Sequence, residues 1–197
     1  MISLAVLISG SGSNLRALLE ATNAPGSPAK IIAVGADVEA SGLDHAREFG
    51  VETFVVSPKD FADRAAWGQA LLEAVQATGA DLVVCAGFMR ILPAGFVQAL
   101  TPNLINMHPA LLPLFPGAHA VRDALAAGAT ETGATVHVVD EGVDTGPVIR
   151  QVALDIEPDE SEEHLHERIK TIERKLIVDT VFDIANNTIN LKELARS

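Results

Sequence analysis

The feature that most restricts the fold is a regular alternation of short apolar segments with helix-forming segments. Apolar runs predict strands at residues 2–9, 30–36, 51–56, 81–86 and 103–107, and helices are predicted from Leu15 onward and over 41–49 and 60–78. Ser41 is the expected N-cap of the second helix, and a glycine follows each of the last two helices. Strands that alternate with helices form right-handed crossovers. We therefore expect an α/β fold with an open, mostly parallel Rossmann-like sheet and helices on both faces.

The pattern changes after residue 108. Residues 108–117 contain three prolines and predict a loop, which a short helix at 121–127 follows. Strands are predicted at 134–140 and 147–154, too close together for a crossover helix, so the C-terminal part of the sheet should be mixed or antiparallel. A long helix is predicted at 161–185, with Ser161 as its N-cap and three glutamates early in it. Nothing resembles a linker, so we expect a single domain over residues 1–197.

Charge and cysteine content exclude several classes of function. The chain has 14 Lys and Arg against 26 Asp and Glu, a formal net charge of −12, which disfavours nucleic acid and anionic membranes as partners. The single cysteine, Cys85, permits no internal disulfide and is typical of a reducing compartment. The sequence shows neither a signal-peptide pattern nor an apolar run of membrane-spanning length. We expect a cytoplasmic protein that acts on small molecules, as a monomer or homodimer.

A glycine-rich loop follows the first predicted strand. Gly10-Ser-Gly-Ser-Asn14 opens the first helix, where bare N–H groups and the helix dipole favour an anion such as phosphate. The loop lacks the Gly-Lys-Ser/Thr end of a Walker A motif, and the third glycine of a dinucleotide fingerprint is replaced by Leu15. Asp37, after the second strand, could be the ribose-binding acid of a nicotinamide enzyme, and the loop could also be only a tight turn.

A second constellation consists of Asn106, His108 and Asp144. Asn106 and His108 lie two apart on one predicted strand and should share a face, where an amide and an imidazole suit a developing oxyanion or a proton transfer. A nearby Asp144 carboxylate is expected to raise the pKa of the imidazole.

The same residues have other interpretations. His108 could be structural, the loop at Asp144 could be only a turn, or a metal could be held by His108, His119, His137 and Asp144. No tight ligand motif such as H-E-x-x-H is present. His164 and His166 are two apart on a predicted helix and should be solvated.

Six sequence segments occur in an order that indicates a family. They are VLISGSGSNL (6–15), AGFMRIL (86–92), NMHPALLP (106–113), FPGAH (115–119), GATVH (133–137) and VDTGPVI (143–149). Together they resemble the folate-dependent formyltransferase family of phosphoribosylglycinamide formyltransferases, over nearly the whole chain. The resemblance implies transfer of the formyl group of 10-formyltetrahydrofolate to glycinamide ribonucleotide in purine biosynthesis. It implies direct transfer through a tetrahedral intermediate, with no metal.

The resemblance also implies roles for individual residues, with a phosphate-binding half at about 1–100 and a folate-binding, catalytic half at about 101–190. The catalytic residues are then Asn106, His108 and Asp144. The ribonucleotide would be bound by Gly12, Ser13, Asn14, Lys170 and Glu173. The folate would be bound by Arg64, Met89, Arg90, Ile91, Leu92, Asn106, Asp140, Glu141, Gly142, Val143 and Asp144.

Two positions depart from the family pattern. Ala110 replaces an expected serine, and residues 34–37 lack the usual Ser-Asn pair. The closest alternative is a formyltetrahydrofolate deformylase, a hydrolase that uses water as the acceptor but normally carries an additional N-terminal domain. A methionyl-tRNA formyltransferase would need a C-terminal nucleic-acid-binding domain. A nicotinamide dehydrogenase and a non-catalytic nucleotide-binding module are the alternatives from other classes.

Overall fold

The computed structural model describes residues 1–195, so the last two residues of the expected 1–197 domain lie outside it. The elements follow one another in this order: β1 (Ile2–Ile8), α1 (Ser13–Thr22), β2 (Ala29–Ala36), α2 (Leu43–Glu48), β3 (Glu52–Val55), α3 (Arg64–Ala77), β4 (Leu82–Cys85), α4 (Ala94–Leu100), β5 (Leu104–His108), α5 (Ala120–Ala126), β6 (Glu131–Val138), β7 (Val148–Asp155), α6 (Glu162–Ala185) and α7 (Leu191–Leu194).

One seven-stranded sheet runs through the molecule in the order β3-β2-β1-β4-β5-β6-β7. Strands β1 to β5 pair in parallel, whereas β6 pairs antiparallel with both β5 and β7. The predicted parallel sheet with an antiparallel C-terminal part is therefore confirmed. The order of strands reverses between β1 and β4, which is where open α/β sheets bind ligands.

Alternate residues of the central strands enter two separate cores. In β1, Leu4, Val6 and Ile8 pack in the core shared with α1 and α6, whereas Ala5 and Leu7 pack in the core shared with α3 and α4. All five side chains are fully buried. This explains the continuous apolar runs of the sequence, because a strand covered by helices on both faces needs apolar residues at every position.

Several predicted boundaries were wrong. The second helix begins at Leu43 with Gly42 at its N-cap, so Ser41 does not cap it. The helix predicted at 60–78 begins only at Arg64, because the Asp63 side chain accepts a hydrogen bond from the N–H of Ala66 and caps it. The helix α4, which follows Pro93, was not predicted at all.

The C-terminal elements follow the sequence more closely. Strands β6 and β7 lie within three residues of their predicted bounds, and Ser161 caps α6 as expected, by accepting a hydrogen bond from the N–H of His164. Within residues 1–195, no helix is both long and apolar enough to cross a membrane.

Candidate active site

A cavity of about 250 Å³ lies beside the end of β5. Its walls are the segment that follows β4, residues 106–109 of β5 and its exit, residues 117–118, and the loop that follows β6. Asn106, His108 and Asp144 all line this cavity, although the last is 36 positions from the second. The sheet register and the loop after β6 therefore bring the three predicted catalytic side chains to one wall.

His108 is almost completely buried, at 4% exposure, and has two polar neighbours. Its Nε2 lies 2.8 Å from the carbonyl oxygen of Phe115, and its Nδ1 lies 3.4 Å from Oδ2 of Asp144. A carbonyl oxygen can only accept, so Nε2 carries a hydrogen and donates it. In the neutral ring Nδ1 is then the unprotonated nitrogen, and it faces the carboxylate.

The pKa of His108 is lowered, and burial is the largest cause. The charge of Asp144 and the carbonyl of Phe115 raise the pKa but do not compensate for burial, and His137 lowers it slightly more. The carboxylate therefore raises the pKa of His108 as predicted, but burial, which the sequence analysis did not include, makes the net shift downward. The contribution of Asp144 itself has the expected direction, but it acts on a ring that has lost most of its water.

Asp144 has polar neighbours in three directions, and one of them, the N–H of Gly117, donates a hydrogen bond to it. Its Oδ2 accepts a hydrogen bond of 2.8 Å from the N–H of Gly117, and its Oδ1 lies 3.5 Å from Nε2 of His137. Burial raises the pKa of Asp144, but the contacts with His137 and Gly117 and the charge of His108 outweigh it, so the net pKa is lowered. The carboxylate is therefore ionised at neutral pH.

The backbone at this site is strained in two places. Phe115 and Asp144 have left-handed conformations, with φ of 52° and 54°. A residue with a side chain gives up about 1–2 kcal/mol to adopt this conformation, and Asp tolerates it better than Phe. Both residues use it to point a carbonyl or a carboxylate at the same imidazole, which is where such strain is usually found.

His137 was missed as a functional residue by the sequence analysis, which named it only as a metal ligand. Its Nδ1 lies 3.0 Å from the carbonyl of Val138 and so carries the hydrogen, which leaves Nε2 to accept a 3.1 Å hydrogen bond from Nδ2 of Asn106. This bond fixes the orientation of the Asn106 amide and leaves its second N–H free. The cross-strand register pairs Asn106 with His137 directly, and no local sequence pattern shows that pairing.

A second cluster lies where α1 meets α6. Asn14 Nδ2 donates a 3.2 Å hydrogen bond to Oε2 of Glu173, across 159 positions, and both side chains are buried. Oδ1 of Asn14 is buried and has no partner in the described chain. Burial raises the pKa of Glu173, while Asn14 and the charges of Lys170 and Arg174 act in the opposite direction.

The glycine loop beside this cluster has the predicted form. Gly12 has φ of 71°, a left-handed conformation that glycine adopts without strain, and α1 begins at the next residue. No side chain caps the helix and no acidic residue lies in its first turn, so the N–H groups of Ser13 and Asn14 are available to an anion. Lys170 lies three residues before Glu173 in α6, and its ammonium nitrogen is 2.7 Å from Oε1 of Glu167.

The predicted folate residues divide into two groups. Cavity-lining residues are the larger group, and they comprise Met89, Arg90, Ile91, Leu92, Asn106, Asp140, Gly142, Val143 and Asp144. Arg64 and Glu141 are not in the lining. Arg64 Nη2 instead donates to the carbonyls of Ile91 and Leu92, at 2.7 and 3.1 Å, and Glu141 accepts a 2.6 Å hydrogen bond from Gln98.

Two alternative site chemistries find little geometric support. The Asp37 side chain is only 2% exposed and is bound to Arg90, so it does not present an open carboxylate to a ribose. In residues 1–195, the one group of three side chains whose potential ligand atoms converge is Glu157, Glu160 and His164, and not the four residues considered above. Arg168 Nη1 lies 2.8 Å from an oxygen of Glu160, so a cation already occupies that group.

Comparison with known proteins shows the family to which the chain is related. The sequence profile described as formyl transferase matches residues 2–181. A phosphoribosylglycinamide formyltransferase of Mycobacterium tuberculosis is 48% identical over 95% of this chain and 87% of its own length. The trifunctional purine biosynthetic protein adenosine-3 of Drosophila melanogaster is 44% identical over 93% of this chain, which corresponds to 14% of that protein. The crystal structure of glycinamide ribonucleotide transformylase 1 from Symbiobacterium toebii superposes with a TM-score of 0.92, at 39% identity, over 95% of this chain and 89% of that one.

Replacement of Asp144 by Asn tests the electrostatics of the site. We expect the pKa of His108 to fall further, because the carboxylate that raises it is lost while burial, which lowers it, remains. An NMR pH titration of the imidazole C–H resonances measures this directly, with Asp123→Asn on the exposed surface of α5 as a control. A His108 pKa that stays constant or rises in Asp144→Asn would contradict the pairing.

Proposed function

The chain belongs to the formyl transferase family, and from this premise we propose that it transfers a formyl group from 10-formyltetrahydrofolate to the amine of glycinamide ribonucleotide. The products are formylglycinamide ribonucleotide and tetrahydrofolate, a step of purine biosynthesis. The observation that carries the proposal is the convergence of Asn106, His108 and Asp144 on one wall of a cavity large enough to admit part of a folate. We assign the whole described chain to one formyltransferase domain.

The reaction needs one group that accepts a proton and one group that donates a hydrogen bond to the oxyanion. The amine of the ribonucleotide attacks the formyl carbon, and the new C–N bond leaves negative charge on the formyl oxygen. The second N–H of Asn106 donates to this oxyanion, while its first N–H remains bonded to His137. When the C–N bond to folate breaks, the folate nitrogen takes up a proton and tetrahydrofolate leaves.

His108 carries the proton from the amine nitrogen of the ribonucleotide to the folate nitrogen that leaves. Its lowered pKa keeps the ring neutral at neutral pH, so the ring can take the proton that the attacking amine loses. Asp144 then stabilises the imidazolium that forms, because its carboxylate lies 3.4 Å from Nδ1. The pair thus stabilises the charged form more during the reaction than before it, as catalysis requires.

The ribonucleotide is assigned to the glycine loop and the start of α1. Gly12, Ser13 and Asn14 would offer backbone N–H groups to the phosphate, and Lys170 would add a positive charge, which already acts on Glu173. Glu173 and the unpartnered Oδ1 of Asn14 are buried polar groups that would accept hydrogen bonds from ribose hydroxyls. In a chain with a net charge of −12, such local donors are required to attract a phosphate.

The folate is assigned to the cavity. Exposed apolar side chains at Met89, Ile91 and Val143 would contact its ring systems, and the loop after β6 would close over the pterin. Arg64 and Glu141 act indirectly, by holding the two walls in place. Cys85 also lines the cavity, but burial raises the pKa of its thiol to about 12, so it stays protonated and takes no part as a nucleophile.

The assay that tests the function measures release of tetrahydrofolate from 10-formyltetrahydrofolate, with and without glycinamide ribonucleotide. We expect release only when the ribonucleotide is present, together with formation of the formylated ribonucleotide. Equal release in its absence would instead identify a deformylase, with water as the acceptor. No release under either condition would reject both functions.

His108→Ala is predicted to lower kcat by about a hundredfold or more, as loss of a general base and its charge stabilisation requires. Thermal unfolding should show that the fold is kept. His166→Ala removes an exposed imidazole from α6 and serves as the control, with unchanged kcat expected. If His108→Ala turns over like the unaltered protein, His108 is not the proton carrier.

Ser13→Asp places a negative charge in the first turn of α1. The charge favours the helix itself but repels a phosphate at its start. We expect KM for the ribonucleotide to rise by about tenfold or more, with little change in the dissociation constant of tetrahydrofolate. Thr188→Asp, an exposed position after α6, is the control. An equal loss of affinity for both ligands would place the phosphate elsewhere.

A further inference from the structure

The segment of residues 87–92 forms one wall of the cavity, and side chains from other elements hydrogen-bond to its backbone. The Ser9 hydroxyl, at the end of β1, accepts a 2.8 Å hydrogen bond from the N–H of Met89. Arg64, at the start of α3, donates a 2.7 Å hydrogen bond to the carbonyl of Ile91. These contacts fix a backbone whose apolar side chains Met89 and Ile91 are 68% and 59% exposed, and which has no strand or helix of its own.

A third contact to this segment comes from Asp37, just after the end of β2. Its Oδ2 accepts a 2.5 Å hydrogen bond from Nε of Arg90. The Asp37 side chain is 2% exposed, whereas that of Arg90 is 45% exposed. The bond therefore joins a buried carboxylate to an arginine that lies mostly at the cavity mouth.

A buried carboxylate with one hydrogen-bonded oxygen contributes little to the stability of a fold. A buried carboxylate normally needs hydrogen bonds to both oxygens. Oδ1 of Asp37 is buried and has no partner among residues 1–195, so a single contact, to Arg90, compensates the buried charge. The bond to Arg90 is thus the polar contact through which the buried carboxylate can orient that arginine.

Arg90 is held by Nε alone, which leaves a specific part of it free. Neither Nη1 nor Nη2 contacts an acceptor in the described structure, and Arg90 lines the cavity. The two Nη groups form the fork that binds a carboxylate in a bidentate manner. A folate carries carboxylates only on its glutamyl tail, at the end remote from the pterin.

We propose that Asp37 is a positioning residue for the formyl donor: it fixes Arg90 through Nε so that the Nη fork faces the glutamyl carboxylate of the folate. The inference rests on the proposed function and adds a residue that contacts no substrate. The contact of Asp37 with Arg90 is a charge-assisted hydrogen bond, because a carboxylate accepts it from a guanidinium.

A purely electrostatic role of Asp37 predicts the opposite effect. A carboxylate 2.5 Å from Arg90 reduces the positive potential at the cavity mouth, so its removal would strengthen the binding of an anionic tail. Positioning predicts weaker binding, because a released Arg90 side chain must be ordered again for each ligand. The sign of the change therefore separates the two roles.

The experiment measures dissociation constants of tetrahydrofolate and of tetrahydropteroate, which lacks the glutamyl tail, by calorimetry. Asp37→Ala should weaken tetrahydrofolate binding about tenfold and leave tetrahydropteroate binding unchanged. Asp37→Asn keeps an oxygen for Nε–H and should stay within about threefold of the unaltered protein. In the transfer assay, KM for the formyl donor should rise in Asp37→Ala by the same factor, with kcat unchanged.

Two further variants connect the effect to the arginine. In an Arg90→Ala background, Asp37→Ala should cause no additional loss of tetrahydrofolate affinity. Arg90→Lys keeps the positive charge but has neither Nε nor the Nη fork, so it should lose about as much tetrahydrofolate affinity as Asp37→Ala. If Asp37→Ala does not fold, Arg90→Lys still tests whether the arginine binds the glutamyl carboxylate. Asp44→Ala, which breaks an exposed carboxylate–arginine pair on α2, is the matched control and should bind normally.

Several results would overturn the inference. They are tighter or unchanged tetrahydrofolate binding in Asp37→Ala, an equal loss for tetrahydropteroate, an additive loss in the Arg90→Ala background, and normal binding by Arg90→Lys. The proposed function fails separately, since in that case the unaltered protein itself would bind no tetrahydrofolate.

Discussion

The Asp144 carboxylate is the contact on which the arrangement of the site depends. One oxygen faces Nδ1 of His108 and the N–H of Gly117, and the other faces Nε2 of His137, which in turn holds Asn106. Asp144 adopts a left-handed backbone conformation where it makes these contacts. Phe115, whose carbonyl oxygen contacts Nε2 of His108, does the same. Without the carboxylate, burial would still lower the pKa of His108, and the negative charge that now acts against burial would be missing.

The protein is strongly acidic, yet its substrates carry phosphate and carboxylate groups. The binding sites proposed above reconcile these facts through local donors. The uncapped start of α1 supplies N–H groups without adding a side-chain charge, and Arg90 supplies a guanidinium at the cavity mouth. Each lies at the strand-order reversal between β1 and β4 or next to it, where the loops of a parallel sheet diverge and leave space for ligands.

Much of the fold could be predicted from sequence, because strands buried on both faces need continuous apolar runs and the spacing between runs indicates crossovers. The short helix α4 was missed because its seven residues are too few to show a period. Residue chemistry and family resemblance predicted that Asn106, His108 and Asp144 act together, and the structure brings them to one cavity. The hydrogen bond between His137 and Asn106 depends on their cross-strand pairing, which no local sequence pattern shows. The lowered pKa of His108 could not be predicted from the sequence either, because it results from burial, and the spacing of residues does not show how deeply a side chain is buried.

The neighbours of the two imidazoles fix opposite tautomers in the two rings. With Phe115 and Val138 as carbonyl acceptors, neutral His108 carries its hydrogen on Nε2 and neutral His137 on Nδ1. Nitrogen-15 chemical shifts of the ring nitrogens at a pH above both transitions measure this directly. We predict a protonated-type Nε2 shift for His108 and a protonated-type Nδ1 shift for His137. The same tautomer in both rings, or rapid exchange between tautomers in either, would contradict the account.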